Sequence, residues 1–125
     1  MDYFVVPSEI SGSVTAPPSK SMTQRAIAAA LLAKGESIIT NPSDCDDSLA
    51  AINIARALGA DVTREPGILR ISGAGKIREQ LLNCGESGLA IRMFSPVAAL
   101  NVEEIIMTGT GSLVKRPMSI IEDAL

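Results

Sequence analysis

The sequence predicts an α/β fold built on a repeated βαβαββ unit. Three observations carry that expectation. Helix-forming runs alternate with short β-branched runs, which interleaves strands and helices along the chain. A gapless shift of 67 residues lays Arg25 on Arg92, Glu36 on Glu103, Ile38-Ile39 on Ile105-Ile106, Ile54 on Ile121 and Ala57-Leu58 on Ala124-Leu125. The 125 residues are 46% hydrophobic and 20% charged, enough apolar material for one packed core.

The elements follow in order. Tyr3 to Val6 and Gly12 to Ala16 alternate weakly and read as strand. Pro17-Pro18 stops that run, because each ring fixes φ and removes a donor. Ser19 is a good N-cap for a helix over Lys20 to Lys34, which Gly35 ends. Ala26 to Ala33 is apolar all round, so this helix is expected to be covered on most sides. Glu36 to Thr40 reads as strand, Asn41-Pro42-Ser43-Asp44 as turn, and Asp46 to Leu58 as a second helix closed by Gly59. Asp61 to Arg64 and Ile68 to Ser72 are strands joined by the Glu65-Pro66-Gly67 turn. The second copy then starts with a helix from Ser87 to Leu100 carrying Pro96, where a kink is expected. A strand from Glu104 to Thr108 and a helix from Pro117 follow. Residues 17–78 thus make a first unit and 79–125 an incomplete second one, about one and two-thirds units in all.

Composition narrows the function. Eleven basic and 14 acidic residues give −3, without the basic excess that nucleic-acid binding requires. Aromatics are 2% of the chain, too few for base stacking. His is absent, which removes a His-dependent triad and His-ligated metal from this chain. The N-terminus has neither the basic nor the apolar region of a signal peptide, and the longest apolar run is far too short to span a membrane. Cys45 and Cys84 stand apart and read as reduced thiols, consistent with a cytoplasmic location.

Three constellations suit an anionic ligand. Ser19-Lys20-Ser21 opens a helix, where free N–H groups and the positive end of the macrodipole favour negative charge. Arg25, at i+4 from Ser21, can grip a phosphate or carboxylate with two parallel bonds. The plain alternative is a capped helix with solvated charges. Asn83-Cys84-Gly85-Glu86-Ser87-Gly88 stands at the equivalent point of the repeat, with Arg92 at i+4 from Gly88. Thr108-Gly109-Thr110-Gly111-Ser112 and Lys115-Arg116-Pro117 flank the next strand–helix junction. Cys84 has no nearby base and is discounted as a nucleophile. Asp44, Asp46 and Asp47 read as charges complementing the second helix's N-terminus rather than as metal ligands. Together these loops suit a small substrate with more than one negative group.

Those same residues carry a resemblance. Pro-Pro-Ser-Lys-Ser-x-x-x-Arg at Pro17 to Arg25 resembles the N-terminal signature of the 5-enolpyruvylshikimate-3-phosphate synthase family (3-phosphoshikimate 1-carboxyvinyltransferases). Ser87 to Arg92 resembles that family's glycine loop, and Thr108-Gly109 through Lys115-Arg116-Pro117-Met118 its next basic motif. The resemblance implies an inside-out α/β barrel fold: six βαβαββ units in two domains, with residues 1–16 supplying strands to the other domain. It implies transfer of the enolpyruvyl group of phosphoenolpyruvate to the 5-hydroxyl of shikimate 3-phosphate, with release of phosphate, in chorismate and aromatic amino-acid biosynthesis. By the same resemblance Lys20, Ser21 and Arg25 would bind shikimate 3-phosphate. Lys20, Gly88 and Arg116 would bind phosphoenolpyruvate, with Arg92 a further candidate. No cofactor or metal is implied, and a monomer is expected for the full-length enzyme. The family's acid–base residues are expected beyond Leu125, so the chain reads as a truncation that alone turns over little or no substrate. Glu86, Leu89 and Ser112 depart from residues common in the family, where Asn, Thr and a second Arg occur. Two alternatives are a UDP-N-acetylglucosamine enolpyruvyl transferase, whose Lys-Asn pair and loop Cys are absent here, and a non-catalytic fragment.

Overall fold

The computed structural model describes residues 1–73 and 75–125. It is a mixed α/β structure, and its element order from Lys20 onward follows the helix–strand alternation read in the sequence. Helix α1 spans Lys20–Leu32, strand β1 Glu36–Thr40, helix α2 Asp46–Ala57, strand β2 Asp61–Glu65 and strand β3 Ile68–Ser72. Strand β4 (Leu81–Asn83), helix α3 (Gly88–Ala98) and strand β5 (Ile106–Thr108) come next, then the short 3-10 turn Gly111–Lys115 and helix α4 (Ser119–Glu122).

The first sheet has the order β1-β3-β2 and is antiparallel throughout. Its register sets Ile39 opposite Leu69, and Val62 opposite Ile71. Leu69 and Ile71 are fully buried, so this face covers the helices. Burying each such side chain contributes about 1.5–3 kcal/mol. On the other face Arg70 lies between Ile38 and Thr63 and pairs with Glu36 (3.2 Å) and Glu65 (3.3 Å), one from each flanking strand region. Strands β4 and β5 pair in parallel, as a strand–helix–strand crossover through α3 requires. The core gathers Ile27, Leu31, Ile52, Ile54, Leu69, Ile71, Leu82 and Phe94 between α1, α2, α3 and the two sheets.

Local chemistry fixes the helix starts. Ser19 Oγ accepts from the Met22 N–H at 3.3 Å and Ser87 Oγ from the Ala90 N–H at 3.1 Å, so both long apolar helices begin on a serine cap. Helix α2 starts at Cys45 without a side-chain cap, and carries Asp46 and Asp47 in its first turn and Arg56 in its last, matching its dipole. Gly59 takes φ +102° at the end of α2, and a Cβ there would strike the Lys76 carbonyl, so glycine is required.

Several expectations change. Residues 1–16 form no strand and are exposed throughout. A strand exists only as a paired edge, and among the described residues this segment meets none. Helix α1 is covered on one side: Ile27, Ala28, Ala30 and Leu31 are buried, while Met22 (60%) and Leu32 (57%) face outward. An all-apolar helix does not reveal which of its faces has a partner. In the second unit β5 begins at Ile106 rather than Glu104, and the region after it is the 3-10 turn plus a four-residue helix rather than one helix from Pro117. Pro96 lies inside α3, which continues to Ala98 around the hydrogen bond that its missing N–H removes. No described helix is long and apolar enough to cross a membrane.

Candidate functional site

The two sheets and their turns bring four element starts to one place. The N-termini of α1, α2 and α3 and of the 3-10 turn surround a cavity of about 400 Å³. Its lining includes Lys20, Ser21 and Gln24 from α1, Asp47 from α2, Glu86, Gly88 and Leu89 around the start of α3, and Ser112 and Arg116 beyond β5. Each helix start presents N–H groups that have no partner within its helix, together with a positive dipole end. Concentrating several of them makes a cradle for negative charge.

Two side-chain links hold the starts together. Thr23 Oγ1 donates to the Ser19 carbonyl (3.0 Å) and accepts from the Ser43 N–H (2.9 Å), tying the first turn of α1 to the loop that leads into α2. Ser87 Oγ donates to Gln24 Oε1 at 2.8 Å, tying α3 to α1 in a fully buried contact.

Charge in the cavity is balanced rather than purely basic. Lys20 Nζ sits 3.0 Å from Asp47, and this hydrogen bond, then the charge itself, raises the lysine's pKa. Glu86 Oε2 accepts from the Ser112 N–H at 3.1 Å. That bond, followed by the Ser112 hydroxyl, holds the Glu86 carboxyl below its ordinary range, and Arg116 adds to the effect. Glu86 is thus ionised near neutral pH and turned onto the start of the 3-10 turn.

Gly88 is placed where two arginines converge. A Cβ there would collide with the Arg116 guanidinium and come within 2.9 Å of Arg92 Nη1. Arg92 donates to the carbonyls of Gly88 (3.0 Å) and Pro117 (3.2 Å), so it pins the Arg116–Pro117 segment to α3. Arg116 reaches Ser112 Oγ at 3.4 Å and lines the cavity.

Of the residues singled out in the sequence, Lys20, Ser21, Gly88 and Arg116 meet in this cavity. Arg25 is exposed on α1, outside the cavity's lining, and Arg92 lies against its rim with its donors on backbone carbonyls. The acidic cluster diverges: Asp44 pairs with Arg64 (2.7 Å) and Asp47 with Lys20. Cys84 is buried in the core, which pushes its thiol up to about 11. Sequence reasoning missed Gln24 and the Lys20–Asp47 pair. The only signal for Gln24 was its i+4 spacing from Lys20. Among the described residues, a larger groove of about 650 Å³ between α2 and β4 is lined at a helix start only by Asp46 of α2.

A family model for EPSP synthase (3-phosphoshikimate 1-carboxyvinyltransferase) matches residues 5–125. The chain belongs to the EPSP synthase family. Relatives named 3-phosphoshikimate 1-carboxyvinyltransferase agree. That of Chlamydia caviae is 39% identical over the whole chain, and those of Methanobrevibacter smithii and Methanocorpusculum labreanum are 41% and 42% identical over 94% and 100% of it. The EPSP synthase from Acinetobacter baumannii superimposes with a TM-score of 0.73 at 30% identity over 91% of the chain. The chain spans 28–31% of the length of these curated EPSP synthase relatives and 27% of that solved structure. The UDP-N-acetylglucosamine alternative finds no support among these relatives.

Proposed function

We propose that the protein transfers the enolpyruvyl group of phosphoenolpyruvate to the 5-hydroxyl of shikimate 3-phosphate, releasing inorganic phosphate, on the route to chorismate and aromatic amino acids. The observation that carries this reading is the convergence of several helix N-termini with Lys20, Ser21, Gly88 and Arg116 in one cavity of a chain from this family. Both substrates carry a phosphate and a carboxylate, and fixed N–H donors with a lysine and an arginine are the groups that bind such oxygens.

In this reading Lys20, Ser21 and Arg25 bind shikimate 3-phosphate, and Lys20, Gly88 and Arg116 bind phosphoenolpyruvate. Arg92 holds Arg116 in place. The substrate hydroxyl adds to C2 of phosphoenolpyruvate while C3 gains a proton. The tetrahedral adduct then loses phosphate and the C3 proton, restoring the double bond. Lys20 and Arg116 stabilise the negative charge that collects on the departing phosphate. General acid and base groups come from the remainder of the relatives' length, and the 125-residue chain alone is proposed to show little or no turnover. Substrates first displace Asp47 from Lys20, because the ligand and that carboxylate compete for one ammonium.

The reading extends to architecture. Residues 1–16, with Tyr3, Phe4, Val5, Val6, Ile10 and Val14 all exposed, are proposed to pair with a sheet of a second domain. Residues 17–78 and 79–125 are one complete and one partial unit of an inside-out α/β barrel, acting as a cytoplasmic monomer that uses no cofactor and binds neither membrane nor nucleic acid. The test is phosphate release by the full-length protein. Release from phosphoenolpyruvate is expected only with shikimate 3-phosphate, and Lys20→Ala should weaken both substrates by tenfold or more, roughly what a lost charged hydrogen bond costs. Equal release with UDP-N-acetylglucosamine, or unchanged kinetics in the variant, would refute it.

A further inference from the structure

Gln24 is a polar residue in an unusual state. It is fully buried, yet it lines the anion cavity. Its Oε1 accepts the Ser87 hydroxyl at 2.8 Å. Its Nε2 is buried and has no hydrogen-bond partner among the described residues. The amide orientation follows from the network. Ser87 Oγ accepts from the Ala90 N–H, and Gln24 Oε1 is the one acceptor its own proton has among the described residues, so the orientation with the Gln24 oxygen toward Ser87 is the one that uses that proton. The NH₂ group therefore points away from Ser87 with two protons and no acceptor. Buried donors are almost always satisfied, so an exception needs its own explanation, and an acceptor supplied by a bound molecule is one.

The surroundings say what arrives. Gln24 lies one turn from Lys20 on α1 and faces the Ser87–Gly88 start of α3, so its amide sits between the two helix N-termini that line the cavity. We propose that the Gln24 side-chain amide is a binding group of this cavity: Ser87 fixes its oxygen, and its Nε2 donates to an anionic oxygen of the bound substrate. Gln24 lines the cavity, so the amide lies beside the space a bound oxygen would enter. An uncharged donor suits the place, because a third cation would draw Asp47 or Glu86 inward and block the ligand. The same contact lets a bound anion tighten the α1–α3 link, since both ends of the amide are then engaged.

This rests on the functional reading above, and the test separates the two. In the ¹⁵N-labelled full-length protein the Gln24 side-chain amide is assigned through its bonds to the backbone, then followed during titration with shikimate 3-phosphate and, separately, phosphoenolpyruvate. The amide signals should move on saturation with at least one of them, which identifies the ligand contacted. Gln24→Met should lower affinity for that ligand about tenfold or more. Stationary Gln24 signals while Lys20 and Gly88 signals move would overturn the proposal and leave the functional reading intact. An affinity of Gln24→Met within about threefold of wild type for both ligands would also count against the proposal. No response at Lys20, Ser21 or Gly88 to either ligand would remove the functional reading and this proposal with it. The wild-type amide readout decides the matter even if Gln24→Met does not fold.

Discussion

At the scale of single residues, Glu86 shows how a departure from a family pattern finds a local use. Its carboxylate lines the cavity and takes the Ser112 N–H, so it closes the start of the 3-10 turn. A carboxyl held below its ordinary pKa stabilises the fold at pH above the usual carboxylate value, and that stabilisation is lost as pH falls through the depressed one. The urea midpoints of wild type and Glu86→Gln should therefore differ at pH 7 and converge toward pH 3. A gap that is constant with pH would contradict the assigned contact. The same substitution should strengthen phosphoenolpyruvate binding severalfold, since one negative charge leaves the cavity. The two cysteines separate in the same physical terms. Burial opposes ionisation of Cys45, but hydrogen bonds with Ser43 and Ser48 outweigh it and hold its thiol below the ordinary value. Burial alone lifts Cys84 to about 11. Iodoacetamide at pH 8 should label Cys45 well before Cys84, as peptide mass spectrometry would show, because only the thiolate reacts. Faster labelling of Cys84 would mean that its strand end opens readily. Lys20, Ser21, Gly88 and Arg116 were singled out because charge, hydroxyl and glycine at helix starts suit an anion and resemble family motifs, and the structure brings them to one cavity. Gln24 was not, because a glutamine in a helical run reads as an ordinary helix former, and only tertiary packing buries it.

At the scale of elements, the sequence placed β1 and β3 at their observed bounds and α1 and α2 to within two residues at either end. Their signals are strong: a serine cap, a closing glycine and β-branched runs bounded by turn residues. Strand β4 is three residues long, too short to display alternation, and became visible only by pairing with β5. The 3-10 turn Gly111–Lys115 hid in a glycine-rich loop because its start is supplied by a side chain 26 residues away. Residues 1–16 carry a strand-like pattern without a strand, since pairing is a property of two segments. The Thr23 link shows that element positions, and not only element types, have identifiable causes. Thr23→Val keeps shape and volume but leaves the Ser43 N–H without its acceptor. It should cost about 1–3 kcal/mol of stability, read from urea unfolding. A loss below about 0.3 kcal/mol would show that the α1–α2 geometry rests on apolar packing alone, because unremarkable substitutions fall in that range.

At the scale of the whole molecule, a chain 28–31% as long as its relatives folds so that motifs as far apart in sequence as Lys20 and Arg116 meet in one cavity. The 67-residue repeat explains part of this. Helix α1 shifted by 67 residues falls on α3 to within a residue, so Lys20-Ser21 and Ser87-Gly88 are equivalent helix starts brought side by side. The repeat predicts likeness between units but not their mutual packing, which is why the shared mouth could not be read from the sequence. The outward Met22–Leu32 side of α1 and the apolar residues of segment 1–16 are exposed here. The central claim is that the joined N-termini of α1 and α3, with Arg116, form one anion-binding mouth. The most direct measurement is a residue-resolved ¹H–¹⁵N titration of the full-length protein with shikimate 3-phosphate. Saturable shifts at Lys20, Ser21, Gly88 and Ser112, with the α2–β4 groove silent, are the predicted result; shifts centred on that groove, or none at the four residues, would contradict it.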